Sequence, residues 1–427
     1  MEKVIIASAV RTPIGGYLGA LSDVPAYILG ALVLNEAAKR VRVDPAHVDE
    51  VIMGQSYQSG ENVNIARMAL LAADWPVEVP GITLDRRCCS GLDAICFGAM
   101  KIMSGYAEIV AAGGVESMSR AELYVPGEYI KKGLGGKTDP KFGFMPKGHG
   151  ALPMWGIPFF DRIQRARVMS QPIERFGELN SMMSWAEIAA KQENITREAA
   201  DRWALRSQQR AIAAIESGRF REEIVPVAVP SGKGGAKGDP LIIDVDEPPR
   251  RDTSLEKLAR LPVVYEGGVC TAGNSSTEND GAAVLILMTA TRAAALGIEL
   301  LGELISFGVA GADPTLTYPA VPIAVKKALD KAGLVIDDMD LIEIQEAFAV
   351  QLLADAKLLG LSEEDCDRKL NVNGSGVSLG HPIAATGAMR MVTLLHEMKR
   401  RNARYGLETI CGGGGLGIAA VVSRGTL

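Results

Sequence analysis

Cys88 sits where a nucleophile is usually presented. In Arg87-Cys88-Cys89-Ser90-Gly91-Leu92 a thiol lies between an extended run, Gly81-Ile82-Thr83-Leu84, and a stretch whose apolar residues Leu92, Ile95, Cys96, Ala99 and Met103 recur on one helical face. Gly91 lets the backbone turn tightly where the helix begins. Unpaired N–H groups and the positive end of the helix dipole are expected to favour a thiolate there. A free cysteine by itself more often packs as a small hydrophobe. Two C-terminal segments change that balance, because they hold partners for sulfur chemistry on a carbonyl. One is Asn373-Gly374-Ser375-Gly376-Val377-Ser378-Leu379-Gly380-His381-Pro382, the other Cys411-Gly412-Gly413-Gly414-Gly415-Leu416-Gly417. His381 follows a glycine-rich turn and precedes a helix through Ala388 and Val392, whereas His396 on that helix and His47 after a loop proline read as structural or surface residues.

The elements that must position these groups are short apolar runs alternating with helical patterns. Val4 to Ala7, Val51 to Met53, Ile109 to Ala112, Val284 to Met288, Leu341 to Ile344 and Ile418 to Val422 read as strands, so the architecture is layered α/β. The chain echoes itself: Ala31-Leu32 through Ile52 resembles Ala328-Leu329 through Ile344, and Gly98-Ala99-Met100-Lys101 returns as Gly387-Ala388-Met389-Arg390. Two similar halves follow, 1–288 and 289–427. Between their common parts lies an excursion of about 120–260, broken by many glycines and prolines. It holds one clear helix, capped by Thr196 and stopped at Gly218. Nine of the 22 aromatic residues fall between Tyr124 and Trp185, which suits a ligand-pocket wall, a separate small subdomain or an oligomer contact.

Composition narrows the function. The 427 residues are 48% hydrophobic and 22% charged, with a net charge of −6, so a nucleic-acid partner is not expected. Residues 120–180 run the other way, with ten Lys/Arg against six Asp/Glu; this reads as a solvated loop or as a receiver for an anionic ligand. Six cysteines without regular spacing point to reduced thiols and not to a zinc site or a disulfide framework. Without a leader or a long apolar stretch, the expected location is cytoplasmic, with no membrane association and no metal. Gly412 to Gly417 formally matches the dinucleotide fingerprint, but the ten residues after it leave no room for the helix, strand and acidic group that motif requires.

Taken in order, Cys88-Cys89-Ser90-Gly91-Leu92, Glu346-Ala347-Phe348, Asn373 to Pro382 and Cys411 to Gly417 resemble the thiolases, acyl-CoA:acetyl-CoA acyltransferases. Val10 to Gly15, Gly113 to Met118 and Thr271 to Gly281 are similar to thiolase segments at the expected places, so the likeness covers nearly the whole chain. The resemblance implies a five-layered αβαβα core from two duplicated halves, with a loop domain inserted in the first half over coenzyme A. It also implies an acyl-CoA substrate without a permanently bound cofactor, and a homodimer or homotetramer. By resemblance Cys88 is acylated, His381 activates it and helps hold a thioester oxygen, and Cys411 exchanges protons with the enolate. The N–H groups of Cys88 and Gly413 form one oxyanion site; His381 and position 345 form the other. Ser276, Ala347, Phe348 and Met182 are expected in contact with the pantetheine arm or the acyl group.

The sequence departs from the family at Gln345, where most members have Asn, and at Cys89, Cys270 and Ser181. Ser181 falls in the acyl-pocket loop, which leads to the expectation that the pocket admits more than acetyl. A related condensing enzyme would use two histidines, or histidine and asparagine, where this chain has Cys411. A catalytically silent CoA-binding scaffold would carry no selectively reactive Cys88.

Overall fold

The computed structural model describes residues 2–125, 159–177, 182–230, 239–316 and 318–425; Ser181 and much of the aromatic-rich and basic stretch lie outside the described residues. Nine strands carry the fold: β1 (Val4–Arg11), β2 (Glu50–Gly54), β3 (Gly81–Leu84), β4 (Ile109–Ser117), β5 (Asn279–Thr289), β6 (Gly302–Gly311), β7 (Leu341–Ile344), β8 (Tyr405–Gly412) and β9 (Leu416–Ser423). They run in the order β7-β8-β9-β6-β1-β5-β4-β2-β3, with a short strand Gly15–Gly16 added on β5. The path divides at β1 and β6, which share only the three pairs Val4↔Leu304, Ile5↔Glu303 and Ile6↔Gly302.

Side-chain alternation builds layers on both faces of each part. Along β5, Ala283, Leu285 and Leu287 enter one apolar cluster while Ala282, Val284, Ile286 and Met288 enter another. Along β9, Ile418, Ala420 and Val422 join that first cluster, and Ala419 and Val421 a third. The shared middle layer is filled by helices α3 (Ser90–Met103) and α8 (Thr386–Arg401), through Leu92, Ile95 and Ala99 from one and Ala388, Val392 and Leu395 from the other. One outer layer is α1 (Ala26–Arg40) with α2 (Ile65–Ala72). The opposite one is α6 (Ala320–Ala332) with α7 (Ala349–Leu358). Reading across, the layers run α, β, α, β, α.

Helix α8 is buried on every side from Thr386 to Met398, although it carries charge. Two of its polar groups find partners inside: Arg390 Nη2 donates to the Gly380 carbonyl at 3.0 Å, and His396 Nε2 lies 3.0 Å from the Ala9 carbonyl. The excursion contributes α4 (Met182–Glu193) and α5 (Arg197–Glu216), the latter capped by Thr196 on the Ala199 N–H and followed by Gly218 at φ 72°, as its sequence predicts. Buried Arg11 ties the excursion to β1, with Glu223 at 2.6 Å and a bidentate Asp246 at 2.7 and 2.9 Å.

Candidate active site

A cavity of about 350 Å³ opens where the two halves meet. Cys88, His381 and Cys411 all line it, and so do Gly413, Ser276, Ala347, Phe348 and Met182. Three remote stretches reach this point for local reasons. After β3 the chain turns with Arg87 at φ 54°, and Ser90 Oγ closes the turn by accepting from the Arg86 N–H at 2.8 Å and donating to the Arg87 carbonyl at 2.6 Å. That hands Cys88 to the cavity one residue before the N-cap of α3. The His381 segment approaches so closely that a Cβ on Gly91 would lie 2.6 Å from the Ala384 carbonyl oxygen. Asn279 Oδ1 on β5 accepts the His381 N–H at 2.8 Å and fixes the turn. Cys411 is the last residue but one of β8, and the hairpin to β9 passes through Gly414 and Gly415 at φ 87° and 74°.

Protonation is set by burial. The Cys88 thiol is pushed up to about 11 by desolvation, which outweighs hydrogen bonds from the Gly413 N–H and its own N–H and the field of Arg87. Cys88 therefore rests as a thiol, where its place beside the helix terminus led to the expectation of a thiolate: it lies just before α3, and loss of water outweighs the groups that favour the charged form. Burial also pushes Cys411 upward, and Cys88 and Asp355 add to the shift. His381 is driven down to about 3 by burial, with Arg390 and Arg167 adding repulsion. The imidazole is therefore neutral. Its tautomer follows from its partner: Thr386 Oγ1 donates its only proton to the Pro382 carbonyl at 2.9 Å, so at 2.7 Å from His381 Nδ1 it must accept. Nδ1 carries the hydrogen and Nε2 keeps its lone pair.

Gln345 is the expected site residue that the structure does not bring to the wall. It is fully buried; Arg390 Nε reaches its Oε1 at 3.3 Å and its Nε2 has no partner. The residue follows β7 with the same facing as Glu343, toward the middle layer, and the amide packs over Gly376. His381 and Gln345 therefore do not share the cavity surface.

Other lining residues had no role assigned from sequence. Tyr57, Arg87, Met118, Arg167 and Glu278 face the cavity, with Arg167 Nη2 2.5 Å from Glu278 Oε1. Behind them Glu116 accepts from the Ser56 and Ala384 N–H groups on Oε2 (3.1 and 3.2 Å) and from the Tyr57 N–H on Oε1 (3.2 Å). One carboxyl thus joins walls from both halves, and burial raises it to about 7. Gly113 to Met118 stood out in the sequence, but nothing local tells that Glu116 faces inward. Glu346 plays a similar part for the Ala347–Phe348 turn: α5 donates to it from Trp203 Nε1 at 2.9 Å and Ser207 Oγ at 2.6 Å. Among the described residues no group of His, Cys, Asp and Glu forms a metal site.

Comparison with known proteins agrees over the full length. Residues 4–291 match the thiolase N-terminal domain and residues 298–424 the thiolase C-terminal domain. The chain is 41% identical over 430 residues to an acetyl-CoA acetyltransferase of Pseudomonas aeruginosa, covering 99% of this chain and 100% of that protein. It is 39% identical over 425 residues to a probable acetyl-CoA acyltransferase of Staphylococcus aureus, covering 99% and 100%. The crystal structure of the Bacillus anthracis acetyl-CoA acetyltransferase superposes with a TM-score of 0.87 at 40% identity, covering 99% of both chains. Layer order, the shared cavity and full-length likeness agree, and the chain belongs to the thiolase family.

Proposed function

We propose that the protein catalyses CoA-dependent thiolytic cleavage of a 3-ketoacyl-CoA to acetyl-CoA and an acyl-CoA, or the reverse Claisen condensation, through an acyl-Cys88 intermediate. The observation that carries this reading is the meeting of Cys88, His381 and Cys411 on one cavity wall. Its support from relatives is their naming as acetyl-CoA acetyltransferases or acyltransferases.

The protonation states suggest how the steps divide. Neutral His381, with Nε2 free, takes the Cys88 proton as the sulfur attacks the thioester or ketone carbonyl, so no resting ion pair is needed. Gly413 N–H, already aimed at the Cys88 sulfur, is placed to receive developing charge, and removing such a donor typically costs ~100- to ~1000-fold. Cys411, protonated at rest, is the acid that returns a proton to the acetyl carbon when the Cα–Cβ bond breaks, and the base in the opposite direction. Ser276, Ala347 and Phe348 guide the pantetheine arm, and Met182 faces the acyl group.

The finer context belongs to the same proposal: a cytoplasmic homodimer or homotetramer in fatty acid metabolism or β-oxidation, with coenzyme A as substrate and no resident cofactor. The halves divide at 288/289, with the insertion at about 120–260. Cys88→Ala is expected to abolish both directions, while Cys411→Ala retains some acylation of Cys88 by an acyl-CoA, read by mass spectrometry of the intact protein. Equal loss of acylation in both variants would overturn the division of roles.

A further inference from the structure

The roles above leave part of the cavity wall without a task. Arg87, the residue directly before the nucleophile, is held at φ 54°, an uncommon conformation for a long side chain. Its guanidinium lines the cavity, with Nη2 donating to the Ala166 carbonyl at 2.7 Å, and Arg87 has no ion pair among the described residues. A guanidinium offers five N–H donors, so one carbonyl leaves most of them free. Arg167 nearby differs, since Glu278 already neutralises it.

Tyr57 is the second group. It is only 6% exposed and lines the same cavity, yet its hydroxyl has no hydrogen-bond partner among the described residues. Glu116 accepts its backbone N–H, and the ring packs with Met118 and Ile163. The phenol oxygen opens onto the cavity, where an acceptor arriving with the ligand can meet it. The wall beside these two groups is apolar: Met118, Ile383 and Met182. A plain alkyl chain would satisfy the apolar surface and leave both polar groups unmet. A hydroxyl would suit the phenol and leave the guanidinium charge uncompensated. A carboxylate at the end of a short chain meets all three, and it suits the planar fork of arginine.

We infer that the acyl group carried on Cys88 ends in a carboxylate, so that the substrate is the CoA thioester of a short 3-oxo dicarboxylic acid whose far end is received by Arg87 and Tyr57. The inference rests on the thiolase reading above and leaves its chemistry unchanged. The C2–C3 bond breaks, C3 bonds to the Cys88 sulfur, and the departing two-carbon unit gains a proton to become acetyl-CoA. A second CoA thiol then displaces the Cys88 sulfur, releasing the dicarboxylic acid as its mono-CoA thioester, with no change in oxidation state.

The test is thiolysis of a matched pair, 3-oxoadipyl-CoA and 3-oxohexanoyl-CoA, which have equal chain length and differ at the far end. The parent protein is expected to favour the carboxylate by roughly 10- to 100-fold in kcat/KM, the range of a charge-assisted hydrogen bond. Arg87→Met should bring that ratio close to one, Arg87→Lys should keep part of it, and Tyr57→Phe should lower it several-fold. Because Arg87 also acts on Cys88, the ratio and not the absolute rate is the readout. If the parent cleaves the methyl-ended substrate as well as or better than its partner, or if Arg87→Met lowers both equally, the inference is overturned while the thiolase reading stands. Should a variant not fold, the parent ratio decides alone. Turnover of neither substrate, with no acylation at Cys88, overturns the thiolase reading itself.

Discussion

At the scale of single residues, burial in the cavity wall holds Cys88, His381 and Cys411 in their neutral forms. His381 is kept neutral at any physiological pH, and the Thr386 hydroxyl decides which of its nitrogens keeps the lone pair. Thr386→Val removes that hydroxyl while keeping shape. It should lower kcat/KM and slow iodoacetamide alkylation of Cys88, each by roughly 100-fold, the low end of general-base catalysis, while Thr386→Ser stays close to the parent. Equal rates for Val and Ser variants would contradict the tautomer assignment. Glu116 gives a second residue-scale expectation. Its carboxyl, raised to about 7, loses its negative charge as pH falls, and with it much of the pull on the N–H groups of Ser56, Tyr57 and Ala384. The kcat/KM profile should therefore drop on the acid side with an apparent pKa near that value, and Glu116→Gln should be less active with that limb gone. A limb that persists in the Gln variant would assign it elsewhere.

At the scale of elements, the decisive contact is between α3 and the segment leading into α8, because it carries His381 from one half to Cys88 of the other. Gly91 permits it, and Gly91→Ala would place a Cβ 2.6 Å from a backbone oxygen that has little freedom to move. Overpacking of this kind costs about 1–3 kcal/mol. A lowered urea midpoint together with reduced activity is expected, whereas Gly311→Ala, where a Cβ meets nothing within 4 Å, should change neither. Several strands were legible from apolar runs alone, Val284 to Met288 and Ile418 to Val422 among them, since a strand buried on both faces needs such a run. Strand β6 was not read, because Gly302–Gly311 alternates buried and half-exposed positions and is interrupted by glycine and serine.

For the molecule as a whole, the middle layer contains a charge problem that pH should reveal. Glu343 and Glu408 stand opposite each other in the β7–β8 register, both buried, with Glu408 making no hydrogen bond through either oxygen. Burial raises both carboxyls well above the usual range, and Arg390 offsets this only in part. The folded state therefore holds protons that the unfolded chain has released, so stability falls as pH rises from the unfolded carboxylate value toward the raised folded ones. Glu408→Gln should flatten that decline, giving a higher unfolding midpoint than the parent at alkaline pH and no advantage below about pH 4. A parent and variant with parallel midpoints across pH would show that this pair does not hold a proton.

Sequence alone singled out the candidate residues and the kind of elements around them, because a helical face, a both-sided apolar run, a glycine turn and an ordered set of motifs are written within a few neighbouring residues. It named Cys88, His381 and Cys411 together with Gly413, Ser276, Ala347, Phe348 and Met182, all of which line one cavity. Only the tertiary structure decided that Gln345 lies behind the wall, that Cys88 rests as a thiol, and that Arg87 and Tyr57 face the same space. Those outcomes depend on which distant atoms exclude water from a group or leave it without a partner, and such relations arise only when the layers close on one another.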